Sequence, residues 1–386
     1  MSTNTKSFTS AMSGAPVLSG SAGALISVLD AVLVTGFGLQ TVTSLVVASG
    51  VATATVPAAP GALVGSVILV AGATPPSLNG EKRVTGVTSS SVSFASAEAD
   101  TTASGSITLK VAGTGWTKLY TDTNRAAYKI TPPTGTGCVL WVDDTGTTVA
   151  RVRGYEAMTG IATGTGPFPS TAQFASGLWW SKSNAASSVA RAWRIVADDR
   201  GFFYFVKNAD TASEHQGGYF GDIAPIKSND PYACVLRANS ADRSASVTAI
   251  SDSLESADSS SSYPGLYAAR AANTLGGAIQ NFQCPVLAVG LPLLHTSGAV
   301  GWPYPSAVDN GLMLTPLLIY SAAGYRGYFP GLRFSPQLTN SAFATGDAIV
   351  GSGDMAGKTV TVIKLGAPTA GSGQGVVFID AVSDWR

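Results

Sequence analysis

From about residue 41 the chain runs as short segments rich in Val and Thr, each cut off by Gly, Pro, Asn or Ser: "TVTSLVVASGVATATV", "GSVILVAGA", "EKRVTGVT", "SSVSFAS" and "GSITLKVA". β-Branched side chains are stiff at χ1 and suit a pleated sheet, whereas Gly, Pro and Asn are turn formers. Runs this short leave no room for helices of ordinary length, so the pattern predicts consecutive strands joined by tight turns. Asn79-Gly80 falls between two of these runs as a turn signal. Several short strands in succession predict a small β-barrel-like module over 41–112.

The same texture continues beyond it. "CVLWVDDTGTTVARVRGYE" reads as a hairpin around Asp143-Asp144-Thr145-Gly146, and "ARAWRIVADDRGFFYFVKN" as another around Asp198-Asp199-Arg200-Gly201. "YACVLRAN", "ASVTAIS", "VLAVGLPLL", "LMLTPLLIYSA" and "GVVFIDAV" are further strand candidates. "GTGPFPST" and "VGWPYPSAVDNG" read as loops, because Pro cannot donate to a sheet ladder. "SDSLESADSSSSYPG" reads as an exposed polar loop. One helix interrupts the β pattern: Leu25, Ile26, Leu29, Val32 and Leu33 recur at spacings of three and four, with Ser19 or Ser21 to cap the start and Gly36 and Gly38 to end it. No Lys or Arg lies on its polar face, so it is expected to pack on a sheet and not on a membrane surface. The fold class expected is mainly β: an N-terminal arm and helix (1–40), the small barrel-like module (41–112), a main antiparallel, sandwich-type β domain (113–290) and a C-terminal β region (291–386).

Charge limits the partners. Charged residues are 12% of the 386, with 23 Lys+Arg against 23 Asp+Glu. There is no basic field to attract nucleic acid. A surface poor in charge and rich in Ser, Thr and Gly suits a chain that buries much of its outside against copies of itself or neighbours. Cys138, Cys234 and Cys284 are widely spaced and odd in number, which reads as buried or reduced thiols and not a disulfide framework. "MSTNTKSFTSAMSG" lacks the apolar core of a secretory signal, and "ALISVLDAVLV" and "ALVGSVILVAGA" are too short to cross a bilayer.

Candidate chemistry is sparse. "GSGDMAGKT" resembles a phosphate-binding loop, but Ser352 stands where the motif needs its first Gly, and the β-branched "TVTVIKL" follows where a helix is required. His215 and His295 point to no triad and read as ordinary loop or edge residues. The acidic pairs Asp143-Asp144 and Asp198-Asp199 could serve a glycosidase only across a cleft, and neighbours on a strand face opposite ways, so turn chemistry is the favoured reading. Calcium at "DDTG" lacks the longer ligand series of a loop site. No catalytic residue, metal site or cofactor is therefore expected. The aromatic clusters remain. Trp179, Trp180, Tyr219 and Phe220 are the candidate interface or glycan-contact residues, since Trp and Tyr favour both roles, while "GFFYFV" reads as core.

Several segments together resemble a family of tailed-bacteriophage virion structural proteins: "SAMSGAPVLSGSAGALISVLDAVLVTGFG", "GVATATV", "LNGEKRVTGVTSSSVSF", "GWTKLYTDTNRAAYKI", "WVDDTGTTVARVRGYEAMTG" and "YRGYFPGLRFSPQ". The resemblance spans most of the chain and is looser after about residue 240. It implies a non-enzymatic, mostly β particle component, associated with the tail or baseplate, made in the bacterial cytoplasm and assembled as a symmetric homo-oligomer, a trimer being favoured, beside other virion proteins. A receptor-binding or capsid decoration protein that contacts host surface glycan is the alternative. Neither reading involves nucleic acid or membrane insertion.

Overall fold

The computed structural model describes residues 3–209, 215–242, 244, 254, 265–271, 274–285, 302–339, 341–365 and 375–386. The strand candidates at 245–251 and 286–294, His295, and all of the 251–265 loop except Leu254 and Gly265 lie outside these residues. The chain is mainly β, and its described residues form several antiparallel sheets with a short helix near the start.

The centre is an antiparallel sheet whose strands run, in spatial order, Lys6–Thr9, Trp193–Ala197, Gly201–Val206, Gln216–Asp222, Cys234–Arg237, Leu266–Ala268 and Ile279–Gln280. Every residue of Gly201–Val206 is buried. The alternation of side chains across the sheet divides them between two cores. Phe202, Tyr204 and Val206 join Trp193, Ile195 and Leu236 on one face. Phe203 and Phe205 join Val196, Tyr219 and Val235 on the other. A strand covered on both faces reads as a continuous apolar run, which accounts for "GFFYFV".

The first face is covered by a second sheet and by the helix. That outer sheet comprises Thr117–Asp122, Arg125–Lys129, Val139–Asp143, Val149–Gly160 and Thr163–Phe168, with Leu178–Ser181 also paired to Val149–Gly160. Its Tyr128, Leu140, Val142, Val152, Phe168 and Trp180 enter the first core. Both hairpins expected from the sequence form, with Asp143 opposite Arg151 and Ala197 opposite Phe202. The other face is covered by a third sheet, in the order Phe282–Pro285, Thr315–Ser321, Gly324–Phe334, Gly375–Asp380, Thr359–Leu365 and Ala348–Val350. Leu317, Ile319, Phe329, Leu332, Ile363 and Ile379 supply its share of the second core.

The segment 37–111 wraps a core of its own, made of Leu45, Val47, Val56, Ile68, Val70, Val84, Val92, Phe94 and Leu109 among others. Its strand path opens at Phe37–Thr41 and closes at Thr101–Thr102. Asn79 holds the connection between Val67–Ala71 and Gly80–Val87 by pairing its amide with the N–H and carbonyl of Ala73, at 2.8 and 2.7 Å.

Two expectations change. Residues 1–40 are not a separate arm: Lys6–Thr9 is an edge strand of the central sheet, and the helix lies in the first core. The C-terminal sheet takes in strands from before the expected boundary at 291, namely Ala224–Pro225 and Phe282–Pro285. Both changes come from long-range pairing, which local pattern does not encode. The helix is α over Ala24–Leu29 and widens to a π-helix over Asp30–Thr35. Leu25, Ile26, Leu29, Val32 and Leu33 are all buried, as their spacing predicts. Gly36 ends it at φ 71°, where a Cβ would lie 2.2 Å from the Val111 carbonyl oxygen. Neither Ser19 nor Ser21 caps its start; the cap comes from Asp144, 119 residues away from Leu25.

Candidate functional site

The four aromatic residues singled out from the sequence do not form one surface. Trp180, Tyr219 and Phe220 are buried, and the expectation that they meet a glycan or another subunit is corrected by that burial. Trp180 packs 5.4 Å from Tyr204 and donates its indole N–H to the Arg237 carbonyl at 3.1 Å. The close approach requires glycine beneath it, since a Cβ on Gly218 would lie 2.4 Å from that indole nitrogen. Tyr219 packs 4.6 Å from Phe203 and 5.1 Å from Phe329 in the second core, and Phe220 stacks on Phe168 at 6.1 Å in the first. Trp179, its neighbour's opposite in strand direction, is half-buried. The Arg151 guanidinium lies 3.4 Å from its ring centre and also donates to the Ser176 carbonyl at 3.0 Å. One face of the indole is thus already occupied by a cation–π contact.

The acidic pairs each split into an inner and an outer member. Asp143 accepts from the backbone N–H and hydroxyl of Thr145 and pairs with Arg125 at 3.3 Å, so it is the turn residue expected. Asp144 is instead fully buried: its Oδ2 accepts from the N–H groups of Leu25 and Ile26, and its Oδ1 is paired with Lys182. Asp198 accepts from the N–H groups of Arg200 and Gly201 in its turn, and also pairs with Arg386. Arg386 reaches across to the Asp222 carbonyl and the Tyr219 hydroxyl, binding the central sheet's middle strand, Gln216–Asp222, to the segment that follows Gly375–Asp380 of the third sheet. Burial pushes the carboxyls of Asp144 and Asp222 upward, against the pull of their hydrogen-bond donors. Asp199 lines an open cleft of about 470 Å³ together with Thr3, Asn4, Pro132 and the Lys6–Glu81 ion pair, whose atoms are 2.9 Å apart.

His215 is not a loop or edge residue in the ordinary sense. It is buried, its backbone N–H donates to the Lys364 carbonyl at 3.0 Å, and its Nδ1 has no partner among the described residues. Burial, then the nearby charges of Lys207 and Arg194, lowers its pKa to about 3. Cys138 and Cys234, apart in sequence, both lie in the first core. Among the described residues no group of three or more His, Cys, Asp or Glu is placed to hold a metal ion, and no helix is long and apolar enough to cross a membrane.

The exposed aromatic face lies elsewhere, on the outward side of the third sheet. Phe282, Tyr320 and Tyr325 form a row across three strands, with ring centres 5.6 and 5.9 Å apart. Tyr328 stands opposite Leu318 beside that row. Tyr325 is 55% exposed, Tyr328 36% and Ile226, next to the strand Ala224–Pro225 that pairs with this hairpin, 59%. The hairpin is held rigidly. Arg326 donates to Asp230 at 3.2 Å and to the Tyr232 carbonyl at 2.8 Å, and it also meets the Arg270 carbonyl. Arg270 in turn forms a two-pronged pair with Glu156, at 2.6 and 2.7 Å. Sequence reading missed this face because Tyr325 and Tyr328 sit in the same kind of aromatic run as the buried "GFFYFV". The remaining signal was their spacing around Gly327, which breaks the continuous apolar run. In comparisons with known protein families and with curated proteins, the chain matches none.

Proposed function

We propose that this chain is a non-enzymatic structural component of a tailed-phage virion, tail or baseplate associated, and that it assembles as a symmetric homo-oligomer. The observation that carries the reading is the rigid aromatic face of Phe282, Tyr320, Tyr325 and Tyr328, whose last two members belong to "YRGYFPGLRFSPQ", one of the segments that resemble such proteins. Exposed aromatic side chains gathered on one face mark contact surfaces, and Tyr is enriched in them because it offers area at small entropic cost. The low charge of the chain supports the same reading, since few charges would have to be stripped of water on association. The occupant of the face is a second copy of the chain.

Light scattering on the purified chain tests it: the wild type should give a single multiple of the monomer mass, and Tyr325→Lys with Tyr328→Lys should give monomer. A wild type that stays monomeric at high concentration would overturn the oligomer. Mass spectrometry of purified particles, with gold-labelled antibody under the electron microscope, tests the virion role; label at the tail agrees with it, and particles free of the chain would refute it. Label spread over the head, or competition of the purified protein with phage adsorption, would favour the decoration or glycan-binding reading, in which the tyrosine row stacks on sugar rings.

A further inference from the structure

The contact between Lys182 and Asp144 has no use in a contact surface. Both side chains have zero solvent exposure. Two ions withdrawn completely from water bear a large desolvation cost, which transfer of the proton from ammonium to carboxylate relieves. Burial moves both groups that way: it lowers the Lys182 amine and raises the Asp144 carboxyl, while their mutual attraction opposes it. Tyr204, buried beside them, feels the Asp144 charge and has its phenol pushed well up, chiefly by burial.

The hydrogen bonds around the pair are arranged asymmetrically. Lys182 Nζ reaches three acceptors: the Ser21 carbonyl at 2.9 Å, the Gly146 carbonyl at 2.7 Å and Asp144 Oδ1. A neutral amine has two N–H groups. With both given to the carbonyls, its lone pair faces Asp144 Oδ1, one bond from the carboxyl carbon Cγ. On the far side of that carboxyl, Oδ2 accepts from Leu25 N–H at 2.7 Å and Ile26 N–H at 3.2 Å. Oδ2 is where negative charge would develop if the carboxyl carbon were attacked, and two fixed backbone donors already point at it.

We propose that Lys182 and Asp144 condense in the folded chain to an intramolecular amide cross-link between Nζ and Cγ. The neutral amine attacks Cγ of the protonated carboxyl, forming the C–N bond and placing the charge on Oδ2. The bond from Cγ to Oδ1 then breaks. Oδ1 leaves with its own hydrogen and one amine hydrogen, as a single water molecule. The amide nitrogen keeps the other hydrogen, and Oδ2 becomes the amide oxygen, still held by Leu25 and Ile26. No oxidant or co-reactant is consumed. Two groups held in contact and shielded from solvent gain the large effective concentrations of oriented intramolecular reactions, about 10⁵ M or more. The cross-link joins the turn after Val139–Asp143 to the residue that follows Leu178–Ser181, 38 positions apart, and fixes the cap of the helix. It stands independently of the virion role.

Tryptic mapping of the folded, purified chain tests the bond. The expected result is a branched species in which 130–151 is joined to 154–191, one water lighter than the two peptides together, with Lys182 uncut. Recovery of the linear peptide 154–182 at full mass, with no branched species, would overturn the proposal. Lys182→Arg keeps a cation at the site but cannot form the amide under these conditions, so its 130–151 peptide should be linear and of full mass. A one-water deficit persisting in that variant would place the loss elsewhere and also overturn the assignment. If the variant fails to fold, the map of the wild type decides alone.

Discussion

The strand Gly201–Val206 and the hairpin built from Thr315–Ser321 and Gly324–Phe334 are both dense in aromatic residues, yet their side chains meet different fates. In the first, every position is buried because a sheet lies on either side. In the second, Leu317, Ile319 and Phe329 face inward, while Tyr325 and Tyr328 face out with no described layer over them. The far end of the same sheet differs again: Val360, Val362 and Phe378 are covered by Leu312, Leu314, Phe343 and Met355. Local sequence makes all three stretches strands. The number of layers above each decides whether an aromatic ring is core or surface, and hence whether it supplies stability or contact area.

Four substitutions break or sharpen that contrast. Phe203→Ala should cost most, about 3–5 kcal/mol in denaturant unfolding, because it empties a site packed between Tyr219, Phe329 and Trp385. A loss below about 1 kcal/mol would mean that the second core collapses around the gap. Arg386→Ala should cost about 2 kcal/mol, since it leaves the Asp222 carbonyl without this donor and Asp198 without its cation, while two backbone donors to Asp198 remain. His215 links stability to pH. Its folded pKa of about 3 lies below the ordinary value of 6.5. The unfolded chain therefore takes up a proton that the folded chain refuses, so the contribution is full above pH 6.5 and is lost as pH falls from 6.5 toward 3. Between pH 7 and pH 5 the wild type should lose about 2 kcal/mol more than His215→Asn; equal losses would show that the imidazole reaches water. The smallest effect on unfolding belongs to Tyr325→Lys, within about 0.5 kcal/mol for the isolated chain, while its association weakens. A large loss of monomer stability there would make the tyrosine face part of a core.

The legible parts of the fold were those fixed by short-range chemistry. Alternating Val and Thr, the Asp-Gly turns and the three-and-four spacing of Leu25 to Leu33 each placed an element correctly. "TVTVIKL" after Lys358 is the strand Thr359–Leu365, as its β-branched residues require. Adjacent acidic residues were half legible: Asp143 and Asp198 make the expected turn bonds, but the sequence gives no sign that Asp144 would be turned inward onto Lys182 and the helix start. The aromatic candidates show the same limit. Trp179 and Trp180, neighbours on one strand, face opposite ways, with Trp180 in the core and Trp179 half-exposed under Arg151. For Tyr219 and Phe220, alternation predicts opposite faces too, and both faces turned out to be buried.

What the sequence alone determined is the β class, the positions of hairpins and helix, and a low, balanced content of charge, because these follow from propensity, period and composition. The tertiary structure alone decided that Lys6–Thr9 joins strands nearly 190 residues distant in the chain, that a second and a third sheet enclose the central one, and that Lys182 meets Asp144 away from water. Each of those depends on which surfaces pack together, and packing joins residues whose separation along the chain carries no local signal.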